Sequence, residues 1–178
     1  MSEFEKLDHK LLMNGHIVDY YEDTLRTPDG NIVKWDLVDH KGAAAVVAVK
    51  EDGSLLMVSQ YRNTVGRQTL EIPAGGRENR EEPYIECAAR ELEEETGYRC
   101  GSIEPLISLV STIAFSNEII EIFVAKDLTP TAQHLDEDEF INVTSHTPAE
   151  LRDKILSGEI QDGKTIAAIM AYIVKYGA

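Results

Sequence analysis

Gly76-Arg-Glu-Asn-Arg-Glu-Glu82-Pro83-Tyr-Ile-Glu-Cys-Ala-Ala-Arg90-Glu91-Leu-Glu-Glu94-Glu95-Thr-Gly97-Tyr98 is the stretch on which the reading of this chain turns. Pro83 suits the first turn of a helix and Gly97 its left-handed end. At about 100° per residue, Ile85, Ala88, Ala89 and Leu92 fall on one apolar stripe. Glu91, Glu94 and Glu95 stand at i, i+3 and i+4, so their carboxylates crowd a neighbouring stripe. Like charges that close repel, and the helix gains nothing from them. A hard divalent cation, Mg²⁺ or Mn²⁺, reverses the sign of that energy because it takes oxygen ligands.

A run of glutamates also describes a solvated helix face, the usual meaning of such a run in an acidic protein. The full spacing is more specific. Gly76, five residues, Glu82, seven residues, and then Arg90-Glu91-Leu92-Glu93-Glu94-Glu95-Thr96-Gly97-Tyr98 resembles the Nudix box at each of its defining positions, with Leu92 and Tyr98 in its two apolar slots. The resemblance implies a hydrolase that cleaves a nucleoside diphosphate linked to some other moiety.

The chain has 178 residues, 43% of them hydrophobic, which suits one compact domain with its own core. No stretch approaches the roughly 20 apolar residues of a membrane span. The N-terminal Met-Ser-Glu-Phe-Glu-Lys lacks an apolar signal core, so a cytoplasmic protein with reduced Cys87 and Cys100 is expected. A net charge of −15 argues against nucleic acid as a partner, since phosphate backbones need a basic footprint. It does not argue against a small anionic substrate, because bound divalent ions invert the local field.

Alternation predicts strands over 10–13, 17–22 and 32–38, with Thr27-Pro28-Asp29-Gly30-Asn31 as the turn between the last two. Residues 43–50 form an apolar run that reads as a buried strand, and 54–61 its hairpin partner across Glu51-Asp52-Gly53. Further strands are expected over 107–110, 118–125 and 139–143. A helix opens at Thr147-Pro148-Ala149-Glu150 and halts near Gly158. Another spans 163–176, with Ile166, Ile169, Met170 and Ile173 as its stripe. These elements make an α+β protein. The resemblance implies the Nudix fold, a mixed sheet sandwiched between helices, over 41–178. A small antiparallel sheet over 1–40 precedes it.

The flanks narrow the likeness. Gln60-Tyr61-Arg62, Leu70-Glu71-Ile72-Pro73-Ala74-Gly75-Gly76, Ser116-Asn117-Glu118 and the acidic stretch Asp136-Glu137-Asp138-Glu139-Phe140-Ile141 are similar to ADP-ribose pyrophosphatases and related nucleoside diphosphate sugar hydrolases. One place departs: Ile113 stands where that subfamily usually has a proline. This leaves the pyrophosphate chemistry untouched and keeps GDP-mannose or another sugar nucleotide as an alternative to ADP-ribose. A regulator that binds a nucleotide without cleaving it is a further alternative.

The resemblance implies roles residue by residue. Glu91, Glu94 and Glu95 are the principal metal ligands, with the Ala74 carbonyl and Glu139 as further ones. Glu137 is the base that takes the proton from the attacking water. Arg90 pairs with neighbouring carboxylates and orients them, and Glu82 acts from behind them. Arg62 and Glu71 are substrate-binding candidates, since a guanidinium suits bidentate contact with phosphate. Trp35, the only tryptophan, offers a stacking surface for a purine, and Asp36 an acceptor for an exocyclic amine. The other reading of Trp35 is an ordinary sheet or interface residue. A homodimer that exchanges its N-terminal strands is expected. His9, His16, His40, His134 and His146 lack ligand spacing and are expected to be structural or solvated.

Overall fold

The computed structural model describes residues 3–137 and 139–178; Met1, Ser2 and Asp138 of the acidic stretch lie outside the described residues. The chain divides into two compact units, 1–42 with 110–119, and 43–109 with 120–178.

In the first unit, β1 (Glu5–Asn14), β2 (Asp19–Arg26) and β3 (Ile32–Asp39) form an antiparallel sheet in that order. The Thr27–Asn31 turn closes β2 on β3, with Gly30 at φ 90° and its N–H donating to the Thr27 carbonyl. β1 is longer than alternation alone suggested, because a register shift on each side of its middle lets it follow β2 throughout. Every residue of β1 is exposed, among them Leu7, Leu11, Leu12 and Met13. Segment 110–119 joins this sheet through the Val38–Ser116 bridge and the Val38 N–H donating to the Phe115 carbonyl.

The second unit is a seven-stranded mixed sheet. Its strands are β4 (Ala43–Val49), β5 (Leu55–Arg62), β6 (Arg67–Glu71), β7 (Ala74–Gly76), β9 (Ser102–Val110), β10 (Ile119–Lys126) and β12 (Asn142–His146). A two-stranded ladder joins β8 (Tyr98–Arg99) to β11 (Thr129–Pro130). The helices are α1 (Tyr84–Thr96), α2 (Pro148–Leu156) and α3 (Gly163–Tyr176). β4 lies parallel to β10 and antiparallel to β5 and β7.

β4 explains the sandwich. Ala43, Ala45 and Val47 point into the layer that holds Leu151, Ala168, Ile169 and Tyr172 of α2 and α3. Ala44, Val46 and Ala48 point into the layer of Cys87, Ala88 and Leu92 of α1. A strand covered on both faces reads as a continuous apolar run rather than an alternating one.

Three expectations are corrected. Ile85 is 40% exposed and Cys87 takes its place, so the buried stripe of α1 is rotated by about one position. Pro83 is the extended N-cap rather than a first-turn residue (φ −62°, ψ 135°), and the helix opens at Tyr84. The strand expected over 139–143 begins at Asn142, where pairing with Ser59 starts; Glu139 and Phe140 stay exposed. The short strands β6, β7, β8 and β11 are additions, and β9 starts five residues before its expected place. The expected start of α2 carries a full capping box, with Thr147 Oγ1 accepting from the Glu150 N–H and the Glu150 side chain accepting from the Thr147 N–H.

Candidate active site

α1 is held at both ends by backbone logic. Gly97 takes the left-handed conformation (φ 70°, ψ 30°), and its N–H donates to the Glu93 carbonyl. Before the helix, the Leu70–Gly76 segment runs along β5 and β4 and delivers Ala74 to Gly76 beside α1. Gly75 is required there by proximity: a Cβ on it would lie 2.1 Å from the Glu91 carboxyl carbon.

The three box carboxylates differ in surroundings. Glu95 is 3% exposed, and its Oε2 accepts the Ala74 N–H at 2.9 Å. Burial pushes its pKa up to about 8 against that bond, with Glu91 and Glu139 adding to the rise and Arg62 opposing it. Burial likewise lifts Glu91 to about 7, although Arg90 pulls it down. Glu94 is more open to solvent.

Arg90 ties this group together. Its Nη1 donates to Glu91 Oε1 at 2.7 Å and to Glu94 Oε2 at 2.8 Å; Nε reaches Glu82 Oε1 at 3.2 Å and Nη2 the Gly76 carbonyl at 3.1 Å. The Glu82 carboxylate also accepts the Glu78 N–H at 2.6 Å, a bond that helps depress its pKa against burial. Cys87 sits beneath, with its thiol 3.7 Å from the Gly75 carbonyl and pushed by burial up to about 12.

A cleft of about 370 Å³ opens over this cluster, lined on one side by Ala74, Gly75, Glu91 and Glu94 and on the other by His134, Asp136 and Glu139. The acidic loop is turned by the Glu139 N–H donating to the Asp136 carbonyl at 3.0 Å. Glu137 is exposed in that turn and is not among the cleft's lining residues. His134 has no role in the sequence reading, yet the fold brings it to the cleft. Its place two residues before the acidic stretch was the available signal.

Arg62 and Glu71 meet each other. Arg62 Nε and Nη2 form a fork on the two Glu71 oxygens, each at 2.8 Å. Glu71 is 2% exposed and also accepts from Thr69 Oγ1 at 2.7 Å and Lys164 Nζ at 2.5 Å. Burial would raise its pKa, but the Arg62 fork and Lys164 hold it down to about 2. Lys164 also binds Asp162, which caps α3 by accepting from the Thr165 N–H. No local pattern points to Lys164 as a partner of Glu71, since the two residues are 93 positions apart. Trp35 and Asp36 belong to the first unit. Trp35 is 53% exposed with its ring centroid 5.2 Å from that of Phe4, and Asp36 accepts from the Tyr20 hydroxyl at 2.7 Å.

A hard divalent cation fits the donor chemistry of this cluster. All the side-chain donors are carboxylate oxygens, and burial raises the pKa of Glu91 and Glu95, so positive charge placed beside them would favour their ionised forms. Arg90 partly supplies that charge. Among the described residues, no three His, Cys, Asp or Glu side chains converge on a single ion position.

Three glutamates on one helix, backed by a glycine-rich strand and faced by an acidic loop, define the site. The NUDIX domain profile matches residues 39–169, and this chain belongs to the Nudix family. It is 40% identical over 160 residues to the methanol dehydrogenase activator of Bacillus methanolicus, covering 89% of this chain and 86% of that one. It is 38% identical over 160 residues to the ADP-ribose pyrophosphatase of Bacillus subtilis, with the same coverage of each chain. The crystal structure of an ADP compounds hydrolase shares the fold, with a TM-score of 0.86 over 99% of this chain and 97% of that one at 18% identity. No helix among the described residues is long and apolar enough to cross a membrane.

Proposed function

We propose that the protein hydrolyses the pyrophosphate bond of a nucleoside diphosphate sugar, ADP-ribose to AMP and ribose 5-phosphate, with Mg²⁺ or Mn²⁺ as its cofactor, in the cytoplasm. The observation that carries this reading is the cleft in which Glu91 and Glu94 face the acidic loop, with Glu95 buried behind them. Glu91, Glu94 and Glu95 would hold the cation, with the Ala74 carbonyl and Glu139 as further oxygen donors. When bound, it supplies neutralisation of phosphate oxygens and a lowered pKa for water.

The chain's own residues do the rest. Arg90 keeps Glu91 and Glu94 oriented. A loop carboxylate accepts the water proton as the water oxygen bonds to phosphorus and the anhydride P–O bond breaks; the leaving phosphate keeps the electron pair. Glu137 is the family-derived candidate for that carboxylate. Glu139 is the one that lines the cleft, which supports the exchanged assignment, Glu139 as the base in place of a further oxygen donor. Glu137→Gln and Glu139→Gln compared side by side decide between them, because loss of a general base lowers kcat by about 10²–10⁴-fold. Arg62, held by Glu71, binds phosphate, while Trp35 and Asp36 read the nucleobase across a homodimer with exchanged N-terminal strands.

The test is a panel of ADP-ribose, GDP-mannose and other nucleoside diphosphate derivatives, assayed for released monophosphate with Mg²⁺ and with Mn²⁺. Glu94→Gln and Glu95→Gln should lose turnover by orders of magnitude with the fold intact; near-normal activity at limiting metal sinks the ligand assignment. The likeness to a dehydrogenase activator favours a second reading, a nucleotide-binding regulator of a partner enzyme. Wild-type protein that binds ADP-ribose with Mg²⁺ yet releases no AMP would support that reading and overturn hydrolysis.

A further inference from the structure

An α-helix leaves its last four carbonyls without intrahelical donors. In α1 the Glu93 carbonyl is served by the Gly97 N–H at 2.8 Å, as an ordinary left-handed cap provides. The next two are served from a distant part of the chain. The Glu94 carbonyl accepts the His134 N–H at 3.0 Å, and the Glu95 carbonyl accepts the Gln133 side-chain Nε2 at 2.6 Å. A further bond runs from the Thr131 N–H to the Gly97 carbonyl at 2.6 Å.

The approach is close enough to restrict Gly97 a second time. A Cβ there would lie 3.1 Å from the Gln133 nitrogen and 3.3 Å from the Ala132 carbonyl carbon. Residues 131–134 therefore form a strap across the end of the box helix. Asp136 and Glu139 follow within a few residues and face Glu91 and Glu94 across the cleft.

We propose that Gln133 is a positioning residue, whose side-chain bond to the Glu95 carbonyl sets the acidic loop at its working distance from the box carboxylates. The inference rests on the hydrolase reading above. Among the described residues, of the strap's three bonds to the carbonyls at the helix end it is the one made by a side chain, so substitution removes it without altering the backbone. The strap joins the two halves of the cleft through backbone geometry, where a misplacement of the loop acts on the chemical step rather than on the initial binding of substrate.

The experiment compares Gln133→Met, similar in size without a donor, with Gln133→Lys, which restores a donor. Steady-state kinetics with ADP-ribose and Mg²⁺, melting temperature, and amide hydrogen exchange over 131–140 are measured for each. Gln133→Met should lower kcat by about ten- to a hundredfold, the scale of an ångström-sized misplacement, with KM within about twofold. Exchange at Thr131 and His134 should quicken, and Gln133→Lys should recover most of the kcat. If Gln133→Met keeps wild-type kcat, or loses melting temperature while kcat and exchange stay unchanged, the proposal is overturned. If wild-type protein turns over no nucleoside diphosphate derivative, it is the hydrolase reading that fails, and the exchange data alone then judge the strap: unchanged exchange at Thr131 and His134 overturns it.

Discussion

Glu95 and Glu71 are both buried glutamates, and their surroundings push them in opposite directions. Burial, with acidic neighbours adding to it and one backbone donor opposing it, pushes the pKa of the Glu95 carboxyl up to about 8. Glu71 has Arg62, Lys164 and Thr69 around it and stays ionised down to about pH 2. The consequence for stability has a definite sign. A carboxyl whose folded pKa lies below its unfolded value of 4.5 contributes stability above that pH and loses it as pH falls through the folded value. The gap from 4.5 to about 2 corresponds to roughly 3 kcal/mol. Urea unfolding of wild type and Glu71→Gln at a series of pH values from 6 to about 2 checks it. The wild type should lose its advantage over the variant as pH falls from about 4.5 towards 2; parallel curves would show that Arg62 and Lys164 do not hold this charge. Removing Glu71 at neutral pH also takes the fork from Arg62 and leaves Lys164 with Asp162 as its acidic partner, so Glu71→Leu should destabilise by about 3 kcal/mol.

At the scale of elements, the contact of β7 with α1 is among the most exacting of the described residues. Gly75→Ala would set a methyl group 2.1 Å from the Glu91 carboxyl carbon, so Glu91 must swing away from its place beside Arg90. Turnover should fall by about 10²-fold with the fold retained, as circular dichroism and kcat together would show. Unchanged kcat would mean that Glu91 is not needed where it stands. Much of this arrangement was legible beforehand. The box spacing puts α1 within a residue of its ends, and the unbroken apolar run of 43–50 announces a buried strand. What escaped had physical reasons. Arg67-Gln68-Thr69-Leu70-Glu71 is polar because β6 follows β5 with much of its face in solvent, so neither period stands out. β7 is three residues long and consists of alanine and glycine, which carry no pattern. The buried stripe of α1 lies one position from the expected one because Cys87, small and apolar, is buried while the larger Ile85 stays exposed. The strap of residues 131–134 and the Lys164–Glu71 pair depend on long-range contacts, which no local spacing encodes.

At the scale of the whole molecule, β1 presents Leu7, Leu11, Leu12 and Met13 without cover from the described residues of this chain. A three-stranded sheet with so much exposed apolar surface is marginal in water. The expected outcome is a homodimer by sedimentation at micromolar concentration, dissociated by Leu11→Asp with Met13→Asp. A wild-type monomer that hydrolyses ADP-ribose normally would end that idea. Trp35→Ala should raise KM roughly tenfold if its ring stacks on the nucleobase, and leave it unchanged otherwise.

The division of the chain into units also sets limits on recombination between relatives. The polypeptide crosses from one unit to the other three times, after Gly42, after Leu109 and after Ile119. Val38 and His40 of the first segment hold Phe115 and Asn117 of the second through backbone and amide bonds. A chimera that imports residues 1–42 alone carries strands fitted to a loop it has left behind. Only a graft that moves 110–119 along with them keeps the donor's native pairings, so the N-terminal sheet should transfer between family members as a pair of segments and not as an N-terminal cassette.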